Sequence, residues 1–293
     1  MYESDRRIVA ALAELNRDRD ALHWAAAEAV VRGRPLHIVH AYEWRPGPVW
    51  PSRLRSVPDS LLAEARGSAE RLLAEAAAEV RARRPGLAVT TRAVEGAASP
   101  ALEAESRTAE LLVLGSPGRV GWGAALGGVV QAIAERSGCP VVLVRDQPAP
   151  TDRPKVVVGL DLSCDSDPLL AFSFEAAHRR RASLEAVTCW HPDLLDAETV
   201  RELTVAGDEA AVEGELCDEL APWTRKFPDV DTIATVSERR PVPGLIERSA
   251  GQQLLVLGRP GSHPVRALLG SVHLAALRHA GCPVALVPLN GTR

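Results

Sequence analysis

Short apolar runs alternate along this chain with longer stretches in which apolar residues recur at helical spacing. The short runs are almost continuous in Val, Ile, Leu and Ala, which is typical of parallel strands buried on both faces. The helical stretches between them supply the crossovers that parallel pairing requires. The pattern therefore predicts strands at 8–12, 36–42, 87–94, 111–115 and 140–145 in the first half, and at 156–160, 184–190, 230–236, 254–258 and 283–288 in the second.

Two of the helices have recognisable starts. Asp59 and Ser60 can cap a long helix that carries one apolar stripe and stops at Pro85 and Gly86. In the second half Asp167 precedes Pro168, and proline suits the first helical position because its missing N–H costs nothing there. Helices between all strands predict a sheet covered on both faces.

The chain contains the same unit twice. Leu111–Gly118 (LLVLGSPG) returns as Leu254–Gly261 (LLVLGRPG), and Gly138–Val141 (GCPV) returns as Gly281–Val284, both 143 residues later. A polar stretch with prolines, 146–153, separates the copies and is typical of a short linker. Each half has the length of one compact core. We therefore predict an α/β fold of two tandem domains, 1–147 and 152–293, each a doubly wound, mostly parallel five-stranded sheet.

Glycines follow the fourth strand of each half at matching spacing. The pattern G-x-x-G-x8-G-[G/S] begins at Gly115 and again at Gly258, and its last pair, 127–128 or 270–271, is expected to open the next helix. A glycine turn at the carboxyl end of a strand lets backbone N–H groups approach a phosphate, and the next helix adds its positive N-terminus. The same glycines can simply serve the turn, so both interpretations stay open.

A carboxylate stands at the other side of the second crevice. Asp161 follows the strand 156–160 directly, and in a doubly wound sheet the first and fourth strands flank the switch point where ligands bind. There it can accept hydrogen bonds from ribose hydroxyls or amino groups. The alternative is that Asp161 only caps the following helix.

These residues resemble the universal stress protein family over essentially the whole chain, in two copies. The resemblance rests on VVVGLDxSxxS from Val156, LxxVxxW from Leu184, LLVLGxxG from Leu254, GSV from Gly270 and CPV from Cys282. It implies a flavodoxin-like fold and, in nucleotide-binding members, a loop G-x-x-G-x9-G-[S/T], which is one residue longer than here. The family's contacts fall on Asp161, Cys189, Gly258, Gly261, Gly270, Ser271 and Val272.

The two crevices differ in sequence. The first half has Ala13 where the second has Asp161, and Gly128 where the second has Ser271. We therefore expect the first crevice to lack both carboxylate and hydroxyl, and the second domain to hold the better nucleotide site. His263 is expected to be a solvated loop residue and His40 a satisfied core histidine.

Composition excludes some classes of partner. Residues 1–150 carry 19 basic and 18 acidic side chains and the rest carry 15 and 20, so neither half has the basic excess of a nucleic-acid binder. No apolar run reaches the ~20 residues that span a bilayer. The five cysteines show no metal spacing and favour a reducing, cytoplasmic location.

Three functions are compatible with the sequence. The favoured one is a cytoplasmic stress-response protein that binds ATP, with or without Mg²⁺, or a related nucleotide as a regulatory switch. The second is an interaction scaffold without any cofactor, in which the glycines only turn the chain. The third is a weak ATPase, although the sequence shows no P-loop lysine, nucleophile elbow or HExxH motif.

The last strand of each half suggests how the halves associate. Strands 140–145 and 283–288 are apolar and expected at a sheet edge, where pairing with another strand is favoured. The resemblance implies dimer contacts through this strand. We therefore expect an intramolecular pseudo-dimer of the two domains, and pairing of whole chains into a homodimer is compatible with the sequence.

Overall fold

The computed structural model describes residues 6–43, 59–115, 127–145, 152, 154–189, 209–259 and 267–289, with only the backbone of residues 209 and 267–271. The chain folds into two compact units, Met1–Asp146 and Gln147–Arg293. Trp190, Gly261 and His263, which the sequence analysis singles out, lie outside the described residues.

The first unit alternates strands and helices and forms a parallel sheet in the order β3-β2-β1-β4-β5. Helices α1 and α2 pack together on one face, and α3 and α4 on the other. The elements are β1 Arg7–Ala11, α1 Leu15–Arg32, β2 Leu36–Tyr42, α2 Asp59–Arg83, β3 Val89–Glu95, α3 Ala98–Ser106, β4 Ala109–Gly115, α4 Gly128–Arg136 and β5 Val141–Val144.

The second unit repeats this order as β8-β7-β6-β9-β10, again parallel. Helices α5 and α6 pack together, as do α7 and α8. The elements are β6 Val156–Leu160, α5 Asp167–Arg180, β7 Leu184–Cys189, α6 Glu209–Lys226, β8 Thr232–Ser237, α7 Pro241–Ser249, β9 Leu254–Arg259, α8 Ala267–His279 and β10 Val284–Pro288.

The apolar runs form the centre of each sheet. Val156, Leu184 and Leu254 stand in register on three adjacent strands and are fully buried, as their continuous apolar sequence predicts. The expected doubly wound α/β fold is thus confirmed in both units. In each, the first and fourth strands are neighbours, so the switch point lies between β1 and β4 and between β6 and β9.

Several predicted boundaries are wrong by one or two residues. Strand β3 starts at Val89 rather than at 87, because the N–H of Leu87 bonds to the Arg84 carbonyl in a turn. Strand β8 starts at Thr232 rather than at 230, because the N–H of Val230 bonds to the Phe227 carbonyl. In both cases an apolar residue packs in the turn that precedes the strand.

In each unit a cluster of charged side chains connects the sheet to the helix that follows the third strand. The helix contributes the acid in the first unit and the base in the second. In the first unit α3 supplies the buried Glu105, which accepts bonds from Arg7 and Arg92, both at 2.7 Å. In the second unit the corresponding helical residue is Arg248, whose Nη1 lies 2.5 Å from Oε1 of Glu185 on β7. Burial opposes ionisation of Glu185, but bonds from Lys155 and Arg248 outweigh it and hold the pKa of this carboxyl below its usual value.

A buried histidine adjoins the first cluster. His37 of β2 is 6% exposed, and its Nδ1 pairs with Oγ1 of Thr90 at 2.8 Å. Burial lowers the pKa of His37, and the positive charges of Arg7 and Arg92 lower it further against the opposing pull of Glu105. The imidazole is therefore held in its neutral form.

Candidate nucleotide site in the second unit

Three of the expected site residues lie at neighbouring strand ends. The register pairs Leu160 with Thr188, so Asp161 and Cys189 follow side by side at the ends of β6 and β7. On the other side of β6, Gly159 pairs with Leu257, which places Gly258 next along β9. Parallel strands bring these carboxyl ends to one edge of the sheet, at the switch point.

The Asp161 carboxylate is exposed and organises its own turn. Its Oδ1 accepts bonds from the N–H of Ser163 at 3.1 Å and from the Ser163 hydroxyl at 2.6 Å. Its Oδ2 faces the Cys164 thiol at 3.7 Å. Helix α5 has Ser166 as its N-cap, without a side-chain cap bond, so capping does not explain Asp161. Pro168 consequently stands at the second helical position rather than at the predicted first one.

Cys189 contributes a neutral surface to the crevice. It is partly exposed, and burial raises the pKa of its thiol against the weaker opposing effect of Arg248. A Cβ built on Gly244 of α7 would lie 3.4 Å from both the Cys189 sulfur and the Ser237 hydroxyl. Cys189, Ser237 and Gly244 thus lie together beside the end of β7, and Cβ of Arg239 lies 3.5 Å from the same built position.

Gly258 is closely surrounded. A Cβ at this position would lie 2.7 Å from Cδ1 of Leu289, which follows β10, so a side chain would overlap the leucine. The Gly258 carbonyl pairs with Nε2 of His273 on α8 at 2.6 Å. His273 thus connects the end of β9 to the helix that carries Gly270 and Ser271.

The two last glycine-loop residues lie inside a helix. Helix α8 is already helical at Ala267, so Gly270 and Ser271 stand in its first turns rather than opening it as expected. Ala, Leu and Leu at 267–269 are strong helix formers, which accounts for the earlier start. Val272 lies next in α8 and is partly exposed. In the first unit α4 does begin at Gly128, with Gly127 as N-cap.

The first unit has Ala13 at the position of Asp161, and an unexpected carboxylate reaches the same turn from α1. Asp18 of α1, which is 3% exposed, accepts bonds from the N–H groups of Ala13 and Glu14 at 2.6 and 3.0 Å. Sequence reasoning followed the position of Asp161 and missed a carboxylate that arrives from the helix. His40 is satisfied as expected, with Nδ1 2.8 Å from the Leu12 carbonyl, but it is partly exposed rather than in the core.

Metal-binding clusters and membrane-spanning helices are both absent from the described ranges. No group of three or more His, Cys, Asp or Glu side chains there is placed to hold a metal ion. None of the helices in that part of the chain has both the length and the apolarity needed to cross a membrane.

Comparison with known proteins fits this architecture. A model of the universal stress protein family matches residues 5–145 and again residues 153–288. Universal stress protein Rv2005c of Mycobacterium tuberculosis is 32% identical over 273 residues, covering 89% of this chain and 90% of its own. Universal stress protein Rv2623 of the same organism is 32% identical over 278 residues, covering 90% of both chains.

Likeness in fold extends further than likeness in sequence. The crystal structure of a universal stress protein from Archaeoglobus fulgidus covers 99% of this chain and 98% of its own with a TM-score of 0.72, at 15% identity. The chain belongs to the universal stress protein family, in tandem form, as the resemblance in sequence predicts.

Proposed function

We propose that this member of the family binds ATP or a related nucleotide in its second unit, and that occupancy shifts its conformation or its affinity for a partner protein. The observation that carries the proposal is the exposed Asp161 carboxylate at the end of β6, beside β9. It accepts bonds only within its own turn in the contacts described above, so its outer lone pairs can receive ligand hydroxyl or amino groups.

The crevice offers different chemistry to the different parts of a nucleotide. We assign Asp161 to the ribose, where a carboxylate accepts two hydroxyl groups. We assign the heterocyclic base to the partly exposed, neutral Cys189 at the end of β7. We assign the phosphates to the stretch that runs from the end of β9 into the start of α8, where the helix dipole favours negative charge. This stretch includes Gly258, Gly261, Gly270, Ser271 and Val272.

A second candidate is a scaffold that binds no nucleotide. The observation in its favour is the overlap between a Cβ on Gly258 and the Leu289 side chain, which gives this glycine a packing reason unrelated to any ligand. In that case nucleotide should be absent from the purified protein and added ATP should not bind.

Calorimetric titration of the full chain with ATP separates the two candidates. Asp161→Asn keeps the side-chain shape but removes the charge, and we expect it to weaken binding at least tenfold. Asp165→Asn makes the same charge change in the same turn and should bind like the wild type. Absence of ATP binding by the wild type favours the scaffold, and equal losses in both variants would refute the role of Asp161.

We also propose a cytoplasmic location. All five cysteines, which lie within the described ranges, are thiols rather than disulfide partners. Thiols of this kind persist in a reducing compartment. Fractionation of cells that express the chain at native level tests this directly, and recovery from an oxidising compartment would contradict it.

A further inference from the structure

Asp18 lies in the first unit's crevice at the turn between β1 and α1. Its Oδ2 accepts the N–H of Ala13 at 2.6 Å and the N–H of Glu14 at 3.0 Å, and Nε of the neighbouring Arg17 lies 3.6 Å from its Oδ1. The residue is 3% exposed. A buried carboxylate therefore takes up two backbone N–H groups of the turn that leads into α1, beside the helix N-terminus where an anion would bind.

Gly115 leaves space for the Asp18 side chain. A Cβ built on Gly115, the last residue of β4, would overlap the Asp18 carboxylate and lie 2.9 Å from its Cγ. The glycine that begins the first unit's G-x-x-G motif thus makes room for a side chain of the same unit. The sequence places Gly115 and Gly258 at the same position of the repeated motif. In the structure the two glycines have different neighbours.

The second unit is built differently at the corresponding positions. The left-handed residues that end α1 and α5, Gly33 and Arg181, correspond under the repeat, and the same spacing matches Asp18 with Ser166. Ser166 bonds to Glu219 of α6 instead of to the turn. Helix α1 begins at Leu15, whereas the second unit keeps an open turn from Asp161 to Ser166 before α5 begins.

We propose that Asp18 is a built-in anion that closes the first unit's crevice to nucleotide phosphates. Its carboxylate occupies the space beside Gly115, satisfies the turn's N–H groups and repels a second negative group. That the excluded ligand is a nucleotide rests on the function proposed above. The contact between Asp18 and Gly115 does not depend on that function. The consequence is a tandem protein in which one of the two related crevices is filled by its own chain.

The internal contact is testable without any ligand. Gly115→Ala should lower the urea midpoint of the full chain. Asp18→Ser introduces the second unit's residue, and in that background Gly115→Ala should lower the midpoint much less. Asp18→Asn keeps the bulk, so Gly115→Ala should remain damaging in that background. Gly128→Ala, whose Cβ would meet nothing within 4 Å, should be additive with Asp18→Ser. Equal costs of Gly115→Ala in all backgrounds would overturn the contact.

The consequence for binding is tested by giving the first unit the second unit's residues. Ala13→Asp with Gly128→Ser should leave the number of ATP molecules bound per full chain at about one in calorimetry, and adding Asp18→Ser should raise it to about two. A second ATP in the variant that retains Asp18, or no second ATP in either variant, would overturn the proposal. Failure of the wild type to bind ATP would refute the proposed function but would leave the Gly115 and Asp18 measurement valid.

Discussion

Single residues distinguish two crevices that share one backbone plan. The second unit has Asp161 at the strand end, and the first has Ala13 there but brings in Asp18 from its helix. The second unit has His273 bonded to the Gly258 carbonyl, and the first has Val130 at the corresponding position. Each difference changes charge or hydrogen bonding at the switch point, so we expect the functions of the two crevices to differ as well.

The close contact at Gly258 leads to a stability prediction. Gly258→Ala should destabilise the chain by about 1–3 kcal/mol, because the new methyl group must displace Leu289. Leu289→Ala in the same chain should recover part of that loss, and urea unfolding measures both. Gly214→Ala on α6 is the control, since its Cβ would meet open space and alanine favours the helix. Additive effects of the changes at 258 and 289 would contradict the packing described.

The buried His37 predicts a pH dependence of stability. Its folded-state pKa lies below the usual 6.5, so the unfolded chain takes up the proton first as the pH falls. The stability that neutral His37 contributes is complete above about pH 6.5 and is lost as the pH falls through its folded-state pKa. We therefore expect the free energy of unfolding to decrease between pH 7 and pH 5.

His37→Gln should flatten this decrease, because glutamine does not titrate yet can still pair with Thr90. Urea denaturation at a series of pH values measures the slope. A His37→Gln variant with the wild-type slope would show that other groups cause the effect.

At the scale of elements, the oppositely charged clusters hold α3 and α7 to their sheets. Glu105 and Arg248 correspond under the repeat, yet one is an acid that meets two arginines and the other is a base that meets an acid. In each cluster the helix residue and the strand residues that it meets carry opposite charges, so the contact is attractive in both units. A single substitution in either cluster leaves a buried charge with fewer partners.

Arg248→Met should therefore destabilise the second unit by about 1–3 kcal/mol, since it takes one cationic partner from the buried Glu185 and leaves Lys155 as the other. Arg239→Met is the control, because its ion pair with Glu247 is exposed on both sides and should contribute about 1 kcal/mol or less. Thermal unfolding of both variants measures the difference. Similar losses would contradict the buried role of Glu185.

The elements themselves were largely predictable, and their ends were not. Apolar runs located the ten strands within the described residues, and the signal is strongest where burial on both faces makes the run continuous. The starts of β3 and β8 were wrong because Leu87 and Val230 are apolar but are placed by turns. The start of α8 was wrong because Gly270 was expected to open the helix, whereas the alanine and two leucines before it are already helical.

The candidate site was predictable where it depends on strand ends. Asp161, Cys189 and Gly258 follow apolar runs directly, so parallel pairing places them at one edge. Asp18 and His273 were missed because helix-to-strand contacts leave no periodic pattern in the sequence. The signal that could have found them is the comparison of the halves, which sets Asp18 against Ser166 and His273 against Val130.

At the scale of the whole molecule, the expected association of the two halves through their last strands stays a prediction. The apolar sequences of β5 and β10 predict that residues 1–147 and 152–293, expressed as separate chains, bind each other. Analytical ultracentrifugation of each half and of their mixture measures this. Halves that stay monomeric when mixed would contradict the expected pseudo-dimer, and self-association of each half alone would indicate homodimer contacts instead.

The central claim is that one crevice of the two binds nucleotide, and native mass spectrometry of the full chain with ATP tests it most directly. At an ATP concentration a few times the wild-type Kd, we expect one nucleotide per chain in the wild type and in Asp165→Asn, and most Asp161→Asn chains without nucleotide. Two nucleotides per chain, or one that persists in Asp161→Asn, would contradict the account.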